Sequence, residues 1–174
     1  MTYYSIMEEY LEIINDKGEI IGQAPRSEIH GNPGLMHRVV HVLVFNRDGE
    51  ILLQKRSMKK DVAPGRWDTS VGGHVSPGED LISSAFREME EELGIRDGEL
   101  RYLYSYVHTN PYETEHVTTF SLLYDGEVSF NPEEIDEVRF WKLDEVRKAM
   151  GRGILSDNFE HEISMYLSFL NSPG

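Results

Sequence analysis

The chain contains no cysteine. That absence excludes disulfide bonds and thiol catalysis, and it fits a cytoplasmic protein. Basic residues are scarce: 17 Lys and Arg stand against 31 Asp and Glu, a formal net charge of −14. So acidic a chain argues against binding nucleic-acid polymers or membrane surfaces. A phosphorylated ligand must then meet a local basic patch or a metal ion. No apolar run approaches transmembrane length. The opening "MTYYSIMEEYLEII" lacks the basic-then-apolar order of a signal peptide, and no repeat or low-complexity tract occurs. With 174 residues, 39% of them hydrophobic, the chain predicts a single domain over residues 1–174.

What is present is an alternation of strand and helix signals. "YLEIINDKGEIIGQAP" predicts a hairpin turning at "NDKG", within an N-terminal extension over residues 1–35. "HRVVHVLVF" and "ILLQKR", joined by "NRDGE", predict a second hairpin. "RYLYSYVH" with "HVTTFSLLYDG" predicts a third pair, and "VRFWKL" a further strand. Asp144 is expected to cap a short helix through Met150. "SDNFEHEISMYLSFL" predicts an amphipathic helix with Ile163, Tyr166, Leu167 and Leu170 on one side. Strands with a central and a C-terminal helix predict an α/β (α+β) fold, a mixed sheet sandwiched by helices.

The central helix carries an unusual load. After the break at Pro77 and Gly78, Glu79 and Asp80 are expected in its first turn, where acidic groups favour the helix dipole. Ile82, Ala85, Phe86, Met89 and Leu93 recur at spacings of three and four, which predicts one buried stripe. Gly94 can close the helix in the left-handed conformation. Glu88, Glu91 and Glu92 share a face beside that stripe, and Glu90 points elsewhere. Like charges at this spacing cost about 0.2–0.5 kcal/mol per pair. A solvated acidic face explains such a cluster in many helices. A divalent cation explains it too, because Mg²⁺ takes hard oxygen ligands together with substrate phosphates.

The flanking residues separate these readings. From Gly73 the chain runs "GHVSPGEDLISSAFREMEEELGI", and Gly73, Glu79, Arg87, Glu88, Met89, Glu91, Glu92, Gly94 and Ile95 fill every defined position of the Nudix box. Residues 73–95 thus resemble the Nudix hydrolases. The resemblance implies a Nudix-type α/β/α sandwich and a loop–helix–loop holding Mg²⁺ or Mn²⁺ against a diphosphate. Glu88, Glu91 and Glu92 would be the metal ligands and the catalytic carboxylates, with Gly73, Glu79, Arg87 and Gly94 supporting the box.

A second resemblance runs from about Arg26 to Leu143. "RSEIHGNPGLMHRVVHVLVFN", "LLQKRSMKKDVAPGRWDTSVGGHV" and "ETEHV" are similar to the isopentenyl diphosphate isomerases and their hydrolase relatives. Those isomerases bind a divalent metal with three histidines and two glutamates. The matching residues here are His30, His37, His74, Glu113 and Glu115. A site of this composition suits Mn, Fe, Co or Zn better than Mg, so the resemblance implies a second, transition-metal ion. It also implies a diphosphate clamp of Arg26, Arg56 and Lys60. Lys55, Lys59 and Arg66 read as surface, and His41, His108, His116 and His161 as surface or satisfied core residues.

Two departures count against the isomerase. Its essential cysteine falls at Gly72, which has no acid to donate, and its cation-facing aromatic has no clear counterpart near "SDNFEH". The box, degraded in the isomerases, is complete. The expectation is therefore a divalent-metal-dependent pyrophosphohydrolase acting on a small nucleoside-diphosphate or other organic diphosphate. Its base would be a box glutamate or Glu115. The alternatives are an isomerase-like enzyme and a non-catalytic nucleotide-sensing module, which loss of box carboxylates would favour. Related enzymes often pair, so a homodimer is compatible with the resemblance.

Overall fold

The computed structural model describes residues 8–173; residues 1–7 of the expected N-terminal extension, and Gly174, lie outside them. The "NDKG" hairpin forms as β1 (Tyr10–Ile14) and β2 (Ile20–Pro25), with the Asn15 carboxamide oxygen accepting from the Lys17 and Glu19 amides. A single turn, α1 (Arg26–Ile29), follows. The strand β3 (Met36–Phe45) is the spine of the molecule. Its Val39–Val44 run is buried throughout, as expected of a strand covered on both faces.

One edge of β3 is occupied along its whole length by β8 (Thr114–Leu123), in parallel. Its antiparallel neighbours are three shorter pairings in succession. β1 takes Met36 and His37, β6 (Val71–His74) takes Val39–Val42, and β4 (Ile51–Arg56) takes Phe45 alone. The β3–β4 hairpin expected from "NRDGE" therefore opens as soon as it is made. β4 instead pairs with β9 (Ile135–Trp141) and the short β5 (Trp67–Asp68). β7 (Arg101–Thr109) closes the far side on β8, as the sequence predicts. The divergence of β4 from the β3–β6 pair leaves a cleft between them.

Helices cover both faces. On one side, Ala85, Met89 and Leu93 of α2 (Leu81–Leu93) pack on Val40, Val42 and Val44 of β3. On the other, α3 (Leu143–Ala149) and α4 (Asp157–Asn171) bury Val146, Phe159 and Ile163 against Leu43, Ile51 and Leu53. Alternation along the strands thus feeds two cores, and the mixed sheet between helices is the sandwich expected from the sequence. Among the described residues no helix is long and apolar enough to cross a membrane.

Several local expectations shift. Asp80 precedes α2 as its cap, accepting from the Ser83 amide at 2.7 Å, and Glu79 lies one residue further out. Gly94 closes the helix at φ 68°, a conformation natural to glycine. Ile82 does not join the buried stripe; Ser84 does. Lys142, not Asp144, precedes α3: the Glu145 carboxylate accepts from the Lys142 amide, while Asp144 pairs with Arg147. On α4 the buried residues are Phe159, Glu162 and Ile163, whereas Leu170 is exposed.

The two leucine-like positions of α2 give a direct check. Leu93→Ala empties a fully buried site and should cost about 2–5 kcal/mol. Ile82, 43% exposed, should tolerate alanine within about 0.5 kcal/mol. Urea denaturation midpoints measure both, and equal losses would contradict this packing.

Candidate functional site

The cleft has a volume of about 410 Å³. One wall is built by α2 and β6. Arg87 organises it: its guanidinium donates to both Glu79 oxygens at 2.9 and 3.0 Å, to Glu88 at 2.7 Å and to the His74 carbonyl at 2.9 Å. The Glu79 carboxyl is held down to about 2 by Arg87. The helix is thereby tied to the loop before it and to the end of β6. Gly73 leaves room for the Glu88 carboxylate, which a Cβ there would displace.

Glu88 and Glu92 face the cleft, and Glu91 is more exposed at an adjoining recess. Glu92 accepts from the Gln54 amide at 2.9 Å and the Gly72 amide at 3.3 Å. Burial pushes the Glu92 carboxyl well up, helped by the nearby charge of Glu88 and opposed by Gln54. Burial raises Glu88 as well, against the pull of Arg87. Desolvated carboxylates of this kind gain from a cation more than a solvated acidic face would. The sequence did not point to Gln54; its side chain faces Glu92 because β4 alternates under the cleft.

Four segments bring the three histidines and two glutamates together. Ring centroids lie 5.2 Å apart for His37 and His74, 5.8 Å for His30 and His74, and 6.4 Å for His30 and His37. His30 Nε2 is 3.2 Å from Glu113, and His37 Nε2 is 3.9 Å from Glu113 and 3.8 Å from Glu115. One ligand atom each from His37, His74 and Glu115 can be enclosed within 4.8 Å. Burial, reinforced by the neighbouring rings of His74 and His30, pushes His37 down to about 3. It is therefore neutral near pH 7, with one nitrogen lone pair to give. Burial, then the charge of Glu113, pushes Glu115 up to about 7.

The donor set passes a further test. His37 Nε2, Glu113 Oε2 and Glu115 Oε1 are buried with no hydrogen-bond partner among the described residues. Converging polar atoms left unpaired cost stability unless something occupies the space between them. Neutral imidazoles and carboxylates at these spacings fit a divalent cation.

The three basic residues expected to clamp a diphosphate all line the cleft, and each already has an acidic partner. Arg56 bonds Asp68 at 3.2 Å, Lys60 bonds Glu134, and Arg26 lies 3.7 Å from Glu9. Glu9 also receives His74 Nδ1 at 3.4 Å, so the residue just before β1 helps orient a candidate ligand.

His41, read from sequence as unremarkable, also lines the cleft. Its Nδ1 sits 2.7 Å from Glu162, a wholly buried carboxylate that also accepts from Thr119 at 2.8 Å, Tyr106 at 3.0 Å and Tyr104. Burial opposes charge on both partners, but their mutual attraction outweighs it, raising His41 and lowering Glu162. The period of β3 held the signal, since residues 37, 39 and 41 share one face. Glu162 had no comparable signal, because a glutamate on a mostly apolar helix face reads as its edge. Of the other bland histidines, His108 and His161 pair with each other through Nδ1 at 2.8 Å.

Residues 35–159 match the NUDIX domain family. An uncharacterised Nudix hydrolase of Pseudomonas aeruginosa is 38% identical over 132 residues, covering 76% of this chain and 78% of the relative. An isopentenyl-diphosphate Delta-isomerase of Streptomyces griseus is 33% identical over 136 residues, covering 75% and 69%. The crystal structure of DR0079 from Deinococcus radiodurans superposes with a TM-score of 0.76 at 24% identity, covering 90% of this chain and 98% of that one. Box, sandwich and relatives agree: this chain belongs to the Nudix hydrolase family, whose members act on diphosphate-containing compounds.

Proposed function

We propose that this Nudix hydrolase cleaves a diphosphate linkage in a small nucleoside-diphosphate or other organic diphosphate, using divalent metal, and that residues 1–174 work as one domain. The observation that carries the reading is the pair Glu88 and Glu92, desolvated on one wall of the cleft that Arg56 and Lys60 also line. Glu88, Glu91 and Glu92 would hold Mg²⁺ or Mn²⁺ through oxygen alone. His30, His37, His74, Glu113 and Glu115 would hold a transition-metal ion. When bound, such ions neutralise phosphoryl charge and lower the pKa of an attacking water.

The chain's own groups supply the rest. Arg87 and Glu79 keep the carboxylate wall rigid. Arg26, Arg56 and Lys60 can exchange their carboxylate partners for diphosphate oxygens, a charge-assisted contact of the same kind. Glu115, lining the cleft, is one candidate to accept a proton from water; Glu88, Glu91 and Glu92 are the others.

An isoprenoid isomerase is the second reading, favoured by the convergence of the five His and Glu residues. Gly72 opposes it. Not only does the residue lack an acid, but a Cβ there would stand 3.0 Å from His41 Cδ2 and 3.3 Å from its Nε2. The room that a cysteine needs is partly filled by an imidazole.

Three outcomes are expected. Glu92→Gln should reduce metal-dependent phosphate release from a diphosphate panel by orders of magnitude while leaving circular dichroism unchanged; wild-type turnover in the variant would remove the helix from the chemistry. Neither the wild type nor Gly72→Cys should convert isopentenyl diphosphate to dimethylallyl diphosphate, and detectable conversion by the wild type would overturn the hydrolase-only account.

The third outcome concerns protein stripped with EDTA. Because Glu115 rises from 4.5 to about 7 on folding, its contribution is fully present below pH 4.5 and lost as pH passes 7. Glu115→Gln should therefore stabilise the stripped protein at pH 8, by up to about 3 kcal/mol, and little at pH 5. A pH-independent difference in urea midpoints would contradict a desolvated Glu115.

A further inference from the structure

The Glu162–His41 pair is more than a brace between α4 and β3. Glu162 accepts four hydrogen bonds and takes the His41 Nδ1 proton as one of them. An ionised carboxylate is an acceptor only, so Nδ1 must be the donor and the ring orientation is fixed. Nε2 then points the other way, and it carries a proton as well, because against burial the bond to Glu162 and its charge raise the ring and favour the imidazolium. It lies beside Gly72, has no hydrogen-bond partner among the described residues, and belongs to a ring that lines the cleft.

Its neighbours place it near the phosphate chemistry. The Gly72 amide donates to Glu92, and the next residue, Gly73, packs on Glu88. Arg26, Arg56 and Lys60 enter the same cleft already paired with carboxylates that a ligand must displace. His41 differs from them. Its carboxylate partner stands behind the ring, so its second nitrogen faces the cleft with nothing to displace. Glu162 also ties α4 to β7 and β8 through Tyr104, Tyr106 and Thr119, but burying a carboxylate for packing alone is unfavourable.

We propose that His41, oriented by Glu162, contacts the substrate directly, donating Nε2–H to an anionic oxygen of the diphosphate, and that Gly72 lacks a side chain so that this ring can reach the cleft. The proposal rests on the reading that a diphosphate occupies this cleft. It adds a contact that the box does not supply, at the point where the isomerase resemblance fails. Glu162 is a positioning residue in this arrangement, acting only through His41.

Two substitutions separate contact from bracing. His41→Asn can keep a donor toward Glu162 in place of Nδ1 while removing Nε2. His41→Gln extends an amide toward the Nε2 position and gives up the Glu162 bond. Calorimetric titration with the non-hydrolysable probe methylenediphosphonate, in Mg²⁺, reads the contact without requiring turnover. Asn, which keeps a bond to Glu162 but loses the counter-charge, should melt below wild type and above Gln without ligand, and should bind the probe about tenfold more weakly than wild type or worse. Gln should melt lower and recover part of the affinity. Asn binding as tightly as wild type, or Gln binding no better than Asn, would overturn the proposal; so would a wild type that does not bind the probe. Whether wild type releases phosphate from the diphosphate panel is a separate result, which bears on the hydrolase reading alone.

Discussion

A carboxylate taken out of water must be given donors, a counter-charge or a proton, and this structure withdraws five of them around one cleft. Each finds a different remedy. Glu88 has Arg87, Glu92 has the amides of Gln54 and Gly72, and Glu162 has His41 with three hydroxyls. Among the described residues, Glu113 and Glu115 meet histidines and each other's charge, with one oxygen of each left unpaired. That incomplete remedy singles out the site. A fold dominated by acidic residues tolerates it if a cation completes the set, and the neutral His37 beside it is ready to be a ligand.

The topology exists to bring these groups to one place. Because β6 pairs with the middle of β3, β4 is held off after a single residue pair, and the sheet opens into the cleft. α2 then presents Glu88 and Glu92 from one face, while α4 sends Glu162 up to His41 from the other. The segments flanking the N-terminal hairpin complete the rim with Glu9 and Arg26. Helix packing is therefore tied to site geometry on both sides of the sheet, with Arg87 fastening one and the His41–Glu162 bond the other.

Much of this was legible in the chain, for physical reasons. The box motif specifies a helix whose carboxylates share a face, and helical period alone puts Glu88, Glu91 and Glu92 together. A strongly apolar run likewise marks β3, and strand-forming segments mark β7 and β8. Convergence of His30, His37, His74, Glu113 and Glu115 follows only from the wider resemblance, because contacts between distant segments leave no local pattern. The misses share a cause. Periodicity groups Ile82 with the buried stripe because it cannot tell the centre of a face from its edge. Gln54, Asp68 and Glu9 escaped because a polar residue gains its partner only from tertiary packing. Glu162 was hidden for the same reason, lying on a helix face otherwise apolar.

The central claim is that the cleft is built around cations at two chemically distinct places. Anomalous diffraction from crystals grown with Mn²⁺ tests it most directly. The expected maps show one peak against Glu88 and Glu92, and a second, separate peak among His37, His74 and Glu115. Peaks confined to the protein surface, with hydrogen-bonded water alone between the histidines and Glu115, would contradict it.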